Sequence, residues 1–128
     1  MVESDGAWLF LHRAPERLYG GFWGCPTGKV EPGEARKTAL GRELHEETGW
    51  AWDVEGIPFC ETLYVRHPEL DFVYHLYAAQ ITGRPSPRLN RREHTNFAWL
   101  DLATARLHAL VPDMDAVLDR FEKRSFDR

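Results

Sequence analysis

The stretch from Glu34 to Thr48 has one comfortable conformation. It lacks proline and is dense in helix formers (Ala35, Lys37, Ala39, Leu40, Glu43, Leu44, Glu46, Glu47), and Gly49 follows where a left-handed C-terminal glycine belongs. The spacing predicts a helix over 34–48. Leu40 and Leu44, four apart, give it an apolar stripe, and Gly41 inside it costs about 1 kcal/mol relative to alanine. Glu43, Glu46 and Glu47 stand at i, i+3 and i+4, which puts three carboxylates on one side of the helix. On a straight helical wheel that stripe lies roughly a quarter turn from the leucines, so one flank can pack on a core while the other faces a cleft.

Left alone, the acidic flank is a poor arrangement. Like charges at these spacings repel by roughly a few tenths of a kcal/mol per pair, and they sit near the negative end of the helix dipole. A hard divalent cation reverses the sign of each of these effects, since Mg²⁺ takes carboxylate and carbonyl oxygens and keeps water elsewhere. The plainer reading of three such residues is a solvated acidic face. The wider spacing decides against it. Gly28, Glu34, Arg42, Glu43, Glu46, Glu47 and Gly49 fill every fixed position of the pattern G-x5-E-x7-R-E-U-x-E-E-x-G-U, with Leu44 and Trp50 at the bulky apolar U positions. At ordinary residue usage a chance match in a chain of this length is roughly below one in a million.

This segment resembles the Nudix box, and the chain is similar to Nudix hydrolases, the MutT-like superfamily, over what reads as one domain, 1–128. The resemblance implies an α+β fold, an α/β/α sandwich with a mixed β-sheet between helices. It implies cleavage of a nucleoside diphosphate linked to a second moiety, using Mg²⁺ or Mn²⁺. Carried over residue by residue, Glu46 and Glu47 are principal metal ligands. Glu43 is a further ligand or activates water, Arg42 holds Glu43, and Glu34 supports the site from outside. Gly28 makes the turn before the helix. Thr27 stands where a second glycine is usual and lends its carbonyl to the metal. Glu93, in a loop just before a late strand, is a further metal ligand or the general base, or an ordinary loop residue. His94 contacts phosphate, acts as acid or base, or makes a structural hydrogen bond.

Outside this segment the chain reads more weakly. Ala7–His12 is an apolar run expected to form a strand buried on both faces. Residues 17–24 and 25–28 read as a loop and a turn. Phe59–Arg66 and Phe72–Ile81 read as strands around a turn at His67-Pro68, Phe97–Leu100 as a short strand, and Pro112–Arg124 as an amphipathic helix. Gly83–Pro87 reads as a loop between elements. Met1–Gly6 is expected to be the remnant of a fuller first strand, or an edge that a partner subunit covers. Phe22, Trp23, Tyr64, Tyr74 and Tyr77 are candidates for stacking on a base or for the core. Arg13, Arg17, Lys29 and Arg66 are candidates for phosphate, and Asp113 for hydrogen bonding to a base.

Composition narrows the partners. A net charge of −4 argues against binding duplex nucleic acid, which needs clustered cations. Two cysteines, Cys25 and Cys60, make no disulfide framework and no C-x-x-C pair. With no leader-like start and no run long enough to span a membrane, the expectation is a cytoplasmic monomer or homodimer acting on a small nucleotide. A nucleoside triphosphate or a nucleotide sugar is the expected substrate. Two alternatives use the same fold: a non-catalytic nucleotide-binding module, and an isomerase that employs Cys25.

Overall fold

The computed structural model describes residues 1–66, 68 and 71–126. Its centre is β2 (Ala7–Arg13), whose run of bulky apolar side chains requires cover on both faces. β1 (Val2–Ser4) precedes it. The two are joined by Asp5-Gly6, both at positive φ (51° and 82°), as the tight hairpin turn between right-twisted strands requires. β1 lies antiparallel to β2 and parallel to β6 (Ala79–Gln80), with Val2 opposite Ala79. Both of its edges are thus taken within the chain, so the partner-covered edge considered from sequence is not present. β7 (His94–Leu100) runs antiparallel along β2 from Trp8 opposite Leu100 to Arg13 opposite His94, with an irregularity at His12/Arg13. β3 (Trp23–Gly24), inside the expected loop, pairs with Leu11 and His12. The sheet is therefore mixed.

β4 (Phe59–Val65) and β5 (Phe72–Tyr77) form a separate antiparallel ribbon. The sequence predicts one strand over Phe72–Ile81. The chain instead changes partners at Ala78, whose N–H donates to the Pro58 carbonyl, while that of Ala79 donates to Met1. One continuous β-former run thus serves two sheets. His67 of the expected turn lies outside the described residues.

The helices cover the two faces of the main sheet. α1 (Arg36–Thr48) starts two residues later than the pattern suggests, because Glu31 to Glu34 form a turn and Ala35 is extended. Leu44 packs with Leu9, Leu11, Val2, Ile57, Tyr77 and Ala79. α2 (Leu102–Ala105), which the sequence reading did not anticipate, is capped by the Asp101 side chain accepting from the Thr104 N–H. α3 (Met114–Phe126) begins after Asp113, whose φ of 72° blocks the helix from starting at Pro112. Its Met114, Val117, Leu118 and Phe121 pack with Trp8 and Phe10. Alternate residues of β2 thus feed two cores, the arrangement of an α+β sandwich. No helix among the described residues is long and apolar enough to cross a membrane.

Candidate active site

Arg42 organises the acidic flank of α1. Its Nε and Nη2 donate to the two carboxylate oxygens of Glu34, each at 3.0 Å, in a fork only a guanidinium supplies. Nη2 also donates to the Lys29 carbonyl at 3.0 Å, and Nη1 to Glu43 Oε1 at 2.8 Å. Glu46 Oε2 lies 3.6 Å from Nη1. The loop before the helix and two of its acidic residues are therefore set by one side chain. The hydrogen bonds from Arg42, helped by the Glu31 N–H, hold the Glu34 carboxyl down at about 2. Gly28 lies directly against Glu43: a Cβ at this position would overlap the Glu43 carboxyl. The glycine is needed for space.

Glu47 occupies a different environment. It is 5% exposed, and its Oε2 accepts from the Thr27 N–H at 2.9 Å. Among the described residues no cation is in ion-pair contact with it. Burial, then the charge of Glu43, raises its carboxyl well above the usual range. Burial likewise raises Glu43, against the opposing pull of Arg42. Across from α1, the start of β7 brings in Glu93 and His94. Donor atoms of Glu47, Glu93 and His94 lie within 4.8 Å of one another. The Glu93 side chain is 36% exposed, with Arg17 Nη2 3.7 Å from its Oε1. His94 is buried, and its Nδ1 has no hydrogen-bond partner among the described residues. Burial, together with Arg13 and Arg17, lowers its imidazole to about 4.

The structure brings Arg42, Glu34, Glu43, Glu46 and Gly28 into one network and places Glu47 beside Glu93 and His94. Thr27 meets Glu47 through its N–H. Gly49 ends the helix at φ 76°, its N–H bonded to the His45 carbonyl. Other candidates lie elsewhere. Tyr77 is buried in the α1-side core, and Tyr64 is exposed on the ribbon. Trp23 packs between His12 and His108. Tyr74 donates to Asp113 Oδ2 at 3.0 Å. Cys25 packs against the α3-side core and burial raises its thiol, which is the wrong direction for the nucleophile an isomerase reading requires.

Sequence reasoning missed Thr48. Its hydroxyl donates to the Leu44 carbonyl at 2.7 Å and accepts from the Trp50 N–H and from Trp52 Nε1. The Arg88 N–H donates to its carbonyl. This residue ties the end of α1 to the loop leading toward Glu93. The nearby signal was the hydroxyl between the paired glutamates and two tryptophans. Gly41 also acquires a reason: a Cβ there would come within 2.8 Å of a Val54 methyl.

The donor set fits a hard divalent cation. A buried carboxylate with no ion-pair partner is costly, and a dication bound beside Glu47 would offset that cost. Comparison with known proteins agrees with the fold and the motif. Residues 1–121 match the NUDIX domain. A CTP pyrophosphohydrolase of Escherichia coli (strain K12) is 29% identical over 94% of this chain and 86% of its own length. An 8-oxo-(d)GTP phosphatase of Mycolicibacterium smegmatis is 33% identical over 82% of this chain and 31% of its own. The chain spans less than a third of the length of two of the curated relatives it matches. A crystal structure of a MutT protein from Methanosarcina mazei Go1 superposes with a TM-score of 0.80 at 23% identity, covering 97% of this chain and 89% of that one. With the helix, its arginine-bound glutamates and the domain match in agreement, the chain belongs to the NUDIX domain family.

Proposed function

We propose that this protein is a metal-dependent pyrophosphohydrolase acting on a nucleoside diphosphate linked to a further group, with a nucleoside triphosphate as its substrate class. The observation that carries this reading is Glu47, a carboxylate buried beside Glu43 and Glu93 with a backbone N–H as its hydrogen-bond donor. The printed names of the relatives, which refer to CTP and 8-oxo-(d)GTP, support the triphosphate over the nucleotide sugar.

Glu47, Glu46, Glu43 and the Thr27 carbonyl would hold Mg²⁺ or Mn²⁺. When bound, the dication neutralises charge on the phosphoryl oxygens and acidifies water. The chain's own residues do the rest. Arg42 fixes the Glu43 rotamer, so its carboxylate needs little reordering when the substrate arrives. Glu93 is the proton acceptor. Its carboxylate is partly exposed, while Glu43 is tied to Arg42 and Glu47 is buried. Arg17, beside Glu93, can turn to phosphate.

Phosphate-containing products released from a nucleotide panel with Mg²⁺ test the proposal. Wild type should turn over at least one triphosphate, and Glu47→Gln should lose at least about a hundredfold in kcat. Equal rates would remove Glu47 from the chemistry. Nucleotide binding without turnover in the wild type would favour the non-catalytic module.

A further inference from the structure

His94 is placed as a ligand would be. It is 4% exposed, and its Nδ1 meets no hydrogen-bond partner among the described residues. A ring nitrogen shares the 4.8 Å group of donors with Glu47 and Glu93. The backbone holds it there: its N–H donates to the Asn90 carbonyl, and it stands opposite Arg13 at the irregular end of the β2–β7 pairing. Buried polar atoms nearly always find partners, so a buried imidazole with an unpartnered nitrogen, on a ring that also reaches two carboxylates, points to an absent one.

We propose that His94 is a nitrogen ligand of the cation held by Glu47, and that it biases the site toward transition dications such as Mn²⁺ and Co²⁺ over Mg²⁺. This rests on the carboxylate metal site proposed above. Carboxylate oxygens are hard donors that suit Mg²⁺ and Mn²⁺ alike, whereas imidazole is a borderline donor that Mg²⁺ uses poorly and later first-row ions use well. One imidazole among oxygens therefore shifts relative affinity without abolishing Mg²⁺ binding. The three donors, all within 4.8 Å of one another, are near enough to reach one cation together.

The test is pulsed EPR of the whole protein loaded with Mn²⁺, joined to competition calorimetry with Co²⁺ and Mg²⁺. Wild type should show nitrogen modulation on bound Mn²⁺ that changes when histidine is ¹⁵N-labelled. His94→Gln should bind Mn²⁺ without it, and His12→Gln should keep it. The Co²⁺-to-Mg²⁺ affinity ratio should fall about tenfold or more in His94→Gln. Should that variant fail to fold, His94→Asn replaces it, and absence of nitrogen coupling in labelled wild type still overturns the role. Mn²⁺ bound with no nitrogen coupling, or coupling that survives His94→Gln, overturns the role of His94 and leaves the carboxylate site standing. No Mn²⁺ uptake at all overturns both.

Discussion

Arg42 spends its donors on four acceptors: Glu34, Glu43, the Lys29 carbonyl and, more loosely, Glu46. A lysine carries the same charge but cannot bridge a carboxylate in a fork. Arg42→Lys is therefore expected to lower kcat by about 10- to 100-fold while the protein stays folded, as loss of a ligand-orienting contact does; steady-state kinetics beside a circular dichroism melt would check it. Glu34 adds a pH signature. Its carboxyl is held at about 2 in the folded chain against an ordinary 4.5. A lowered folded value gives stability that is present above about pH 4.5 and lost as pH falls toward 2. In urea unfolding between those limits, wild type should lose stability with acid more steeply than Glu34→Gln, by about one proton of slope. The residue types of this network were legible in the sequence. The Arg42–Glu34 fork was not, because the loop that folds Glu34 back depends on tertiary placement, as does the orphaned nitrogen of His94.

At the scale of elements, helix ends separate what sequence can and cannot fix. The C-terminus of α1 was readable, since Gly49 supplies the left-handed φ of 76° that other residues adopt only with strain. A Cβ there would also approach Arg88 Cβ at 2.8 Å. Gly49→Ala should destabilise the fold by about 1–2 kcal/mol in denaturant titration; no change would mean the cap is not under strain. The N-terminus of α1 and the start of α3 each moved by two residues from the pattern, the first through a preceding turn and the second through Asp113. The division of Phe72–Ile81 between two sheets had no local signal. Its residues favour extended backbone throughout, and only their partners, Pro58 and Met1, mark the switch.

The molecule as a whole is two cores divided by β2. Leu44 sits in the core beneath α1 and Leu118 in the core beneath α3. Truncating either to alanine should cost about 2–5 kcal/mol. Because they face opposite sides of the sheet, the double variant should be additive within about 0.5 kcal/mol. A large coupling in urea unfolding would show that the cores are not independent. Burial of β2 on both faces was legible from Ala7–His12, but the helix assigned to each face was not, since alternation gives sides without naming their occupants.

On the proposed reading, a bound dication offsets the cost of burying Glu47. Calorimetric titration of chelator-treated protein with Mg²⁺ and Mn²⁺, with and without a non-hydrolysable nucleoside triphosphate, tests that directly. Wild type should take up metal saturably, more tightly with nucleotide, and at least about tenfold more tightly than Glu47→Gln. Wild type that takes up no metal under either condition, or binds it no better than Glu47→Gln, would contradict it.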